Sequence, residues 1–349
     1  MSGKIVHENL FEYALIAPLL KHNSDSIKIV SGYASPAMAA KHLLEVKSLS
    51  KKLNIDLIYG MAGAEGVSKI NHLGFISLKE HKEFSYDGSF SCSYVKKPLS
   101  VHSKIYIWCK EEKPILAFVG SANYSQNGFS VPQRKETLAE CDPLSALEFF
   151  DLIKAETIPC DKANVRKDFS LKQKQTIPQV VSEGIQIETD KNSPFYNHEK
   201  ITLSLLTSRG DTGNGSRLNW GVRPDGLPRE STNSTGSLSR RNPNQAYIGL
   251  PAVYQRSGFF PGISQRFTVL TDDNKIFTCV RAQANGKGIE TPQDNSELGC
   301  YFRERLGLPS GAYISVSDLK RYGRTDVTFY KLDDENYIMD FASPKKTDL

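Results

Sequence analysis

The sequence lacks the marks of several protein classes. Across 349 residues no run approaches the roughly 18 consecutive apolar residues of a membrane-spanning helix, so a membrane span is not expected. The opening residues, Met1-Ser2-Gly3-Lys4-Ile5-Val6-His7-Glu8, lack the apolar stretch of a secretory signal, and a cytoplasmic protein is expected. The six cysteines (Cys92, Cys109, Cys141, Cys160, Cys279 and Cys300) form no C-x-x-C pair and show no zinc-ligand spacing. Reduced thiols are expected, with no metal centre. The glycine-rich run Gly60 to Gly66 lacks the Gly-Lys-Ser/Thr of a phosphate-binding loop, so ATP binding by this chain is not expected. Lysine is missing altogether between Ile201 and Asn274.

That last gap is informative. The net charge of +5 is too mild to identify a nucleic-acid partner. The type of cation says more. Residues 1–170 carry 19 Lys and 2 Arg, whereas residues 171–349 carry 10 Lys and 13 Arg. Arginine offers a planar donor fork that suits phosphates and the guanine edge; lysine is a point charge. The shift implies two jobs in one chain.

The first half reads as alternating strands and helices. Strands are predicted at Ser26–Ser31, Asn54–Tyr59, Phe90–Tyr94, Val101–Trp108 and Ile115–Val119. A helix is predicted from Pro36 to Leu53, and another after Asp142, an N-cap residue followed by Pro143. Such units argue for a mixed sheet covered by helices. Residues 171–192 read as a linker. Beyond them, short strands with Gly/Pro/Asn turns are predicted at Ile201–Leu206, Gln245–Ile248, Arg266–Leu270, Lys275–Arg281, Ala312–Val316, Val327–Leu332 and Tyr337–Phe341. This is an all-β barrel or sandwich pattern. The long polar stretch Ser208–Asn244 between two of these strands is of a length that usually serves function.

The chemistry sits in His102-Ser103-Lys104, followed by Gly120-Ser121-Ala122-Asn123. Residues two apart on a strand share a face, which would set an imidazole nucleophile beside an ammonium. Cleaving a phosphodiester requires neutralising the non-bridging oxygens and protonating the leaving oxygen. His102, Lys104, Ser121 and Asn123 suit those roles and none demands a metal. A second H-x-K, His198-Glu199-Lys200, lacks a following Gly-Ser on a strand end and reads as a decoy.

These residues resemble the phospholipase D superfamily signature. Together with Ile29-Val30-Ser31-Gly32-Tyr33 and the Gly-rich turn after Ile58-Tyr59, they resemble the nuclease domain of the NgoFVII-type (BfiI-like) restriction endonucleases. The superfamily usually has Asp five residues after the Lys; Cys109 stands there. The resemblance puts Glu136 in the place of that acid. It implies His102 as nucleophile or acid, Lys104 and Asn123 as phosphate clamps, and Glu136 as the group that orients the histidine. A single motif per chain implies a homodimer through the nuclease domain, each copy supplying one histidine.

The second half resembles the DNA-binding pseudobarrel of the same enzymes, in which two arms grip the major groove. The first arm would hold Arg209, Asp211, Arg217, Asn219, Trp220 and Arg223; the second would hold Gln283, Asn285 and Lys287. Arg to guanine, Asn or Gln to adenine and Asp to cytosine are the pairings available. The resemblance implies a multidomain α/β plus all-β chain: a phospholipase D-like nuclease domain (1–170), the linker, and a sequence-reading β pseudobarrel (193–349). It implies a type II restriction endonuclease that hydrolyses double-stranded DNA without metal, through phosphohistidine, at a short GC-rich site. It further implies no cofactor of its own, a cognate methyltransferase in the same restriction-modification system, and room for a separate ATPase subunit. Two rival readings are a phospholipase D-like nuclease or phosphatidyl transferase of other purpose, and a non-catalytic DNA-binding regulator.

Overall fold

The computed structural model describes residues 4–80, 88–131, 134–162, 198–232 and 238–343. The linker expected over 171–192 lies outside the described residues. The chain divides into two compact units, Met1–Thr176 and Ile177–Leu349.

The first unit is built on an eight-stranded mixed sheet. Its strands are β1 (Ile5–Val6), β2 (Ser26–Ser31), β3 (Leu53–Tyr59), β4 (Gly88–Val95), β5 (Lys104–Lys110), β6 (Lys113–Gly120), β7 (Leu138–Cys141) and β8 (Thr157–Pro159). They lie in the order β1-β7-β6-β5-β2-β3-β4-β8. Strands β2, β3 and β4 run parallel, and β5 pairs antiparallel with β2. The central strands are buried on both faces, which is why they read as near-continuous apolar runs.

Helices cover both faces. Helix α1 (Pro36–Ser48) starts where predicted: the Ser35 hydroxyl accepts from the Met38 N–H, and Pro36 occupies the first turn. It ends at Ser48, five residues before Leu53, which opens β3. With α2 (Lys69–Glu80) it covers one face, burying Met38, Leu43, Val46, Phe75, Trp108 and Phe118. Helix α3 (Pro143–Lys154) is capped by the Asp142 carboxylate, as predicted, and covers the other face. There Phe150 and Ala146 pack with Val30, Ile58, Ile105, Ile107 and Ala117.

The second unit carries a seven-stranded sheet of β9 (Lys200–Ser204), β12 (Ile248–Gly249), β13 (Arg266–Thr271), β14 (Ile276–Ala282), β15 (Gly288–Glu290), β16 (Asp326–Lys331) and β17 (Asn336–Asp340). A separate hairpin joins β10 (Glu230–Thr232) to β11 (Leu238–Arg240) within the long polar stretch. The large sheet has the order β12-β15-β14-β13-β17-β16-β9 and forms a nearly closed, barrel-like layer. The β13–β14 hairpin turns through Asn274 with φ of 67°, where the sequence signalled it. Inside, Phe259, Phe260, Phe267, Phe329 and Tyr337 stack edge to face. Helices α4 (Glu297–Arg305) and α5 (Val316–Tyr322) add Phe302 and Leu319 to this core. The strand predicted at Ala312–Val316 is absent. Ser315 and Asp318 form a reciprocal capping box, and the chain enters α5 instead.

Candidate active site

The candidate centre forms where four strands end or begin at one edge of the first sheet. β2 ends at Ser31, directly opposite Lys104, the first residue of β5. Gly120 closes β6 and faces Leu138, the first residue of β7. These junctions bring Gly32, Tyr33, His102, Lys104, Ser121, Asn123 and Glu136 to one edge.

The expectation of His102 and Lys104 on one continuous strand needs correction. β5 begins only at Lys104, and His102 sits in the irregular segment before it. That segment is braced by Gly60. Its N–H donates to the Ser31 carbonyl at 2.8 Å, and its carbonyl accepts from the Val101 N–H at 3.1 Å. A Cβ at this position would lie 2.0 Å from the Val101 carbonyl oxygen, so only glycine fits. The Gly60–Gly66 loop is thus a support for the histidine segment.

The two side chains nonetheless meet. The Lys104 ammonium lies 2.9 Å from His102 Nδ1 and 3.3 Å from Nε2, and donates to the His102 carbonyl at 2.5 Å. Lys104 is buried, which pushes its pKa down; the charge of Glu136 works in the opposite direction. His102 itself is exposed, with the edge of Tyr33 against its ring at 5.7 Å between centroids. Tyr33 donates its hydroxyl to Glu65 at 2.6 Å, and that bond is the main reason its pKa is pushed up to about 12. The backbone N–H of Tyr33 donates to Asn123 Oδ1 at 3.1 Å. This commits the amide oxygen and leaves the NH2 as the end that can meet an anionic oxygen.

Ser121 and Glu136 form a second pair. The Ser121 hydroxyl donates to the Glu136 carboxylate and accepts from the Thr137 N–H at 3.0 Å. The resemblance implied that Glu136 orients His102. Here its carboxylate is held by Ser121 and is coupled to Lys104, and among the described residues the His102 ring contacts Lys104 and Tyr33. Cys109, at the usual Asp position, is a buried thiol whose pKa burial raises to about 11. The second H-x-K lies elsewhere: His198 Nδ1 contacts the Lys331 carbonyl in the second unit, and Lys200 opens β9.

Sequence reasoning missed the braces behind the site. The Tyr124 N–H donates to Ser31 Oγ at 2.9 Å, and the Tyr106 hydroxyl donates to the Ala122 carbonyl at 2.6 Å. His42 joins Tyr124 Oη to the Leu15 carbonyl, at 3.0 and 2.8 Å. Complete burial lowers the His42 pKa to about 4. The signal available was a polar or aromatic residue inside each apolar run.

In the second unit the named arm residues divide. Arg209, Arg223, Asn285 and Lys287 are exposed. Asp211 builds its own turn, accepting from Thr207 Oγ1 at 2.7 Å and the Gly213 N–H at 2.9 Å; these bonds hold its pKa below the ordinary value. Gln283 donates to Glu290 at 2.9 Å. Trp220 is half-buried between the Arg241 guanidinium (4.6 Å) and Tyr247 (5.6 Å). Two expectations are corrected. Asn219 is fully buried and spends its amide on Thr212 Oγ1 and both backbone groups of Ile314, so it builds the arm and faces no base. Arg217 donates to the Ser204 carbonyl at the end of β9, while its guanidinium lies over Gly249 of β12, where a Cβ would sit 2.7 Å from Cζ. It bridges the open seam of the barrel-like sheet. Arg303, also missed, is buried and donates to the carbonyls of Ala312, Gly299, Leu218 and Pro243.

The NgoFVII restriction endonuclease N-terminal PLD domain matches residues 8–167, and the NgoFVII C-terminal B3-like DNA-binding domain matches residues 194–333. The chain belongs to the NgoFVII restriction endonuclease family. It is an endodeoxyribonuclease with a phospholipase D-type nuclease domain and a DNA-binding domain. Similar solved structures include NucT from Helicobacter pylori, 18% identical, covering 45% of this chain and 98% of that one (TM-score 0.31). A phospholipase D family member, Nuc from Salmonella typhimurium, is 14% identical and covers 45% of this chain and 97% of that one (TM-score 0.28). No curated protein matches the chain. Among the described residues no helix is long and apolar enough to cross a membrane.

Proposed function

We propose that the first unit cuts DNA by histidine chemistry that needs no metal, and that the second directs it to a short GC-rich site. The observation that carries the reading is the Lys104 ammonium held against the nitrogen-bearing edge of His102, with the Asn123 amide fixed beside them. In the first step an imidazole nitrogen attacks phosphorus. A nitrogen–phosphorus bond forms, the bond to one deoxyribose oxygen breaks, and that oxygen takes a proton from a second histidine. In the second step that histidine removes a proton from water. The resulting oxygen attacks phosphorus, the nitrogen–phosphorus bond breaks, and both histidines return to their starting states. Lys104 and the Asn123 NH2 neutralise the non-bridging oxygens, and Ser121 keeps Glu136 near Lys104.

The second histidine is assigned to a second copy of the chain. Within the described residues of the first unit His42 and His72 are buried in the core, and no second H-x-K followed by Gly-Ser accompanies His102. A two-fold dimer would set two copies of His102 on one phosphate. Site reading is assigned to the exposed arm residues Arg209, Arg223, Asn285 and Lys287, with arginine favouring guanine. As a restriction enzyme it would act alongside a methyltransferase that protects the same site, and a separate ATPase subunit is compatible with this arrangement.

The test is chemical. Phosphohistidine survives alkali, so DNA cleavage quenched at high pH and followed by proteolysis should leave a nucleotide adduct on the peptide containing His102. Mapping the cut ends gives the site. Cleavage that persists in His102→Ala, depends on added Mg²⁺ and leaves no adduct would overturn the reading.

A further inference from the structure

Next to the His102 centre, on the side of Glu136, lies a cleft of about 500 Å³. Two observations tie it to the centre. Glu136, which Ser121 holds, lines the cleft. Gly128 also lines it and backs onto Asn123, where a Cβ would lie 2.2 Å from the Asn123 carbonyl oxygen. The cleft has unlike walls. Lys41, Arg134 and Lys135 line it, facing three carboxylates: Glu136, held by Ser121, and Glu8 and Glu12 from the N-terminal segment, which also brings His7. Lys41 is fixed in place: its ammonium lies 4.2 Å from the Phe11 ring centroid and donates to Ser130 Oγ at 2.5 Å. A lysine held this way surrenders little further freedom when it meets an anion.

From this we infer that the cleft holds the DNA backbone phosphate next to the scissile one. Lys41, Arg134 and Lys135 form its clamp, and the carboxylates of Glu8 and Glu12 repel the strand toward them. The inference rests on the reading of His102, Lys104 and Asn123 as the cutting centre. A volume of this size accepts a phosphate with its sugar, beyond what one ion would fill. The chemistry recognised is the phosphodiester of the cut strand, without regard to base.

The experiment uses the full chain and duplexes that carry its mapped site with one neutral methylphosphonate at each phosphate flanking the cut. For the wild type, kcat/KM should fall about tenfold at one adjacent position, the scale of one charge-assisted hydrogen bond. Lys41→Gln should cut the unmodified duplex less well, lose a large part of the wild-type sensitivity to the methylphosphonate at that position because Arg134 and Lys135 remain, and respond to the others as before. The double variant Arg134→Gln/Lys135→Gln, whose side chains are exposed, should lose sensitivity at the same position. Each lost contact should also make the plot of log K against log salt shallower by about 0.9. Full sensitivity at every position in both variants overturns the cleft assignment. Cutting that survives His102→Ala removes the centre itself, a result separate from the first.

Discussion

At the scale of single residues, the site depends on side chains whose partners are fixed by burial. His42 is the clearest case. It is fully buried, and its pKa of about 4 lies below the ordinary 6.5 because burial disfavours the charged imidazole. Unfolding releases that penalty, so between pH 6.5 and 4 the unfolded chain binds more protons than the folded one. Stability contributed by neutral His42 is present above 6.5 and is lost as pH falls through this window. The loss should be roughly 3 kcal/mol by pH 4. Urea unfolding across that range should show the slope, and His42→Gln, which keeps hydrogen-bonding groups but does not titrate, should flatten it. An unchanged slope would place the acid sensitivity elsewhere. The same scale explains which site residues the sequence could name. His102, Lys104, Ser121 and Asn123 could be singled out by type and spacing, because the proposed phosphate chemistry would need those groups together. Asn219 and Arg217 could not be told apart from Arg209, because residue type carries no information about burial in a polar stretch.

At the scale of elements, the position of His102 depends on a loop more than on its strand. Gly60 supports the segment that carries His102: its N–H donates to the Ser31 carbonyl and its carbonyl accepts from the Val101 N–H. Gly60→Ala would force the Val101 backbone away and displace His102 from Lys104. Cleavage should fall at least tenfold with DNA binding by the second unit retained, measured as kcat/KM beside a filter or anisotropy binding assay. An unchanged rate would mean that the segment moves freely and the support is unimportant. The caps of α1 and α3 were readable because Ser35-Pro36 and Asp142-Pro143 satisfy orphan N–H groups locally. The apolar strands were readable from runs such as Ile27-Lys28-Ile29-Val30. Helix α5 was not, since Tyr313-Ile314-Ser315-Val316 has strand-like residues and only the Ser315–Asp318 box decides the matter. Nor was the seam closed by Arg217, which joins β9 to β12 across residues far apart in sequence.

At the scale of the whole molecule, one chain carries a nuclease domain and a DNA-binding domain of the same family. The division was visible in the change from lysine to arginine. The assignment of both histidines to a shared centre requires two chains, so the active species should have twice the chain mass in sedimentation or light scattering run with an activity assay. An active monomer would contradict it. The central claim, DNA cutting by His102 without metal, is tested most directly by incubating plasmid of mixed sequence with the protein in EDTA, with His102→Ala in parallel. Discrete fragments are expected from the wild type, and from His102→Ala no fragments but undiminished DNA binding. Fragments from His102→Ala, or a wild type that cuts only when Mg²⁺ is restored, would contradict it.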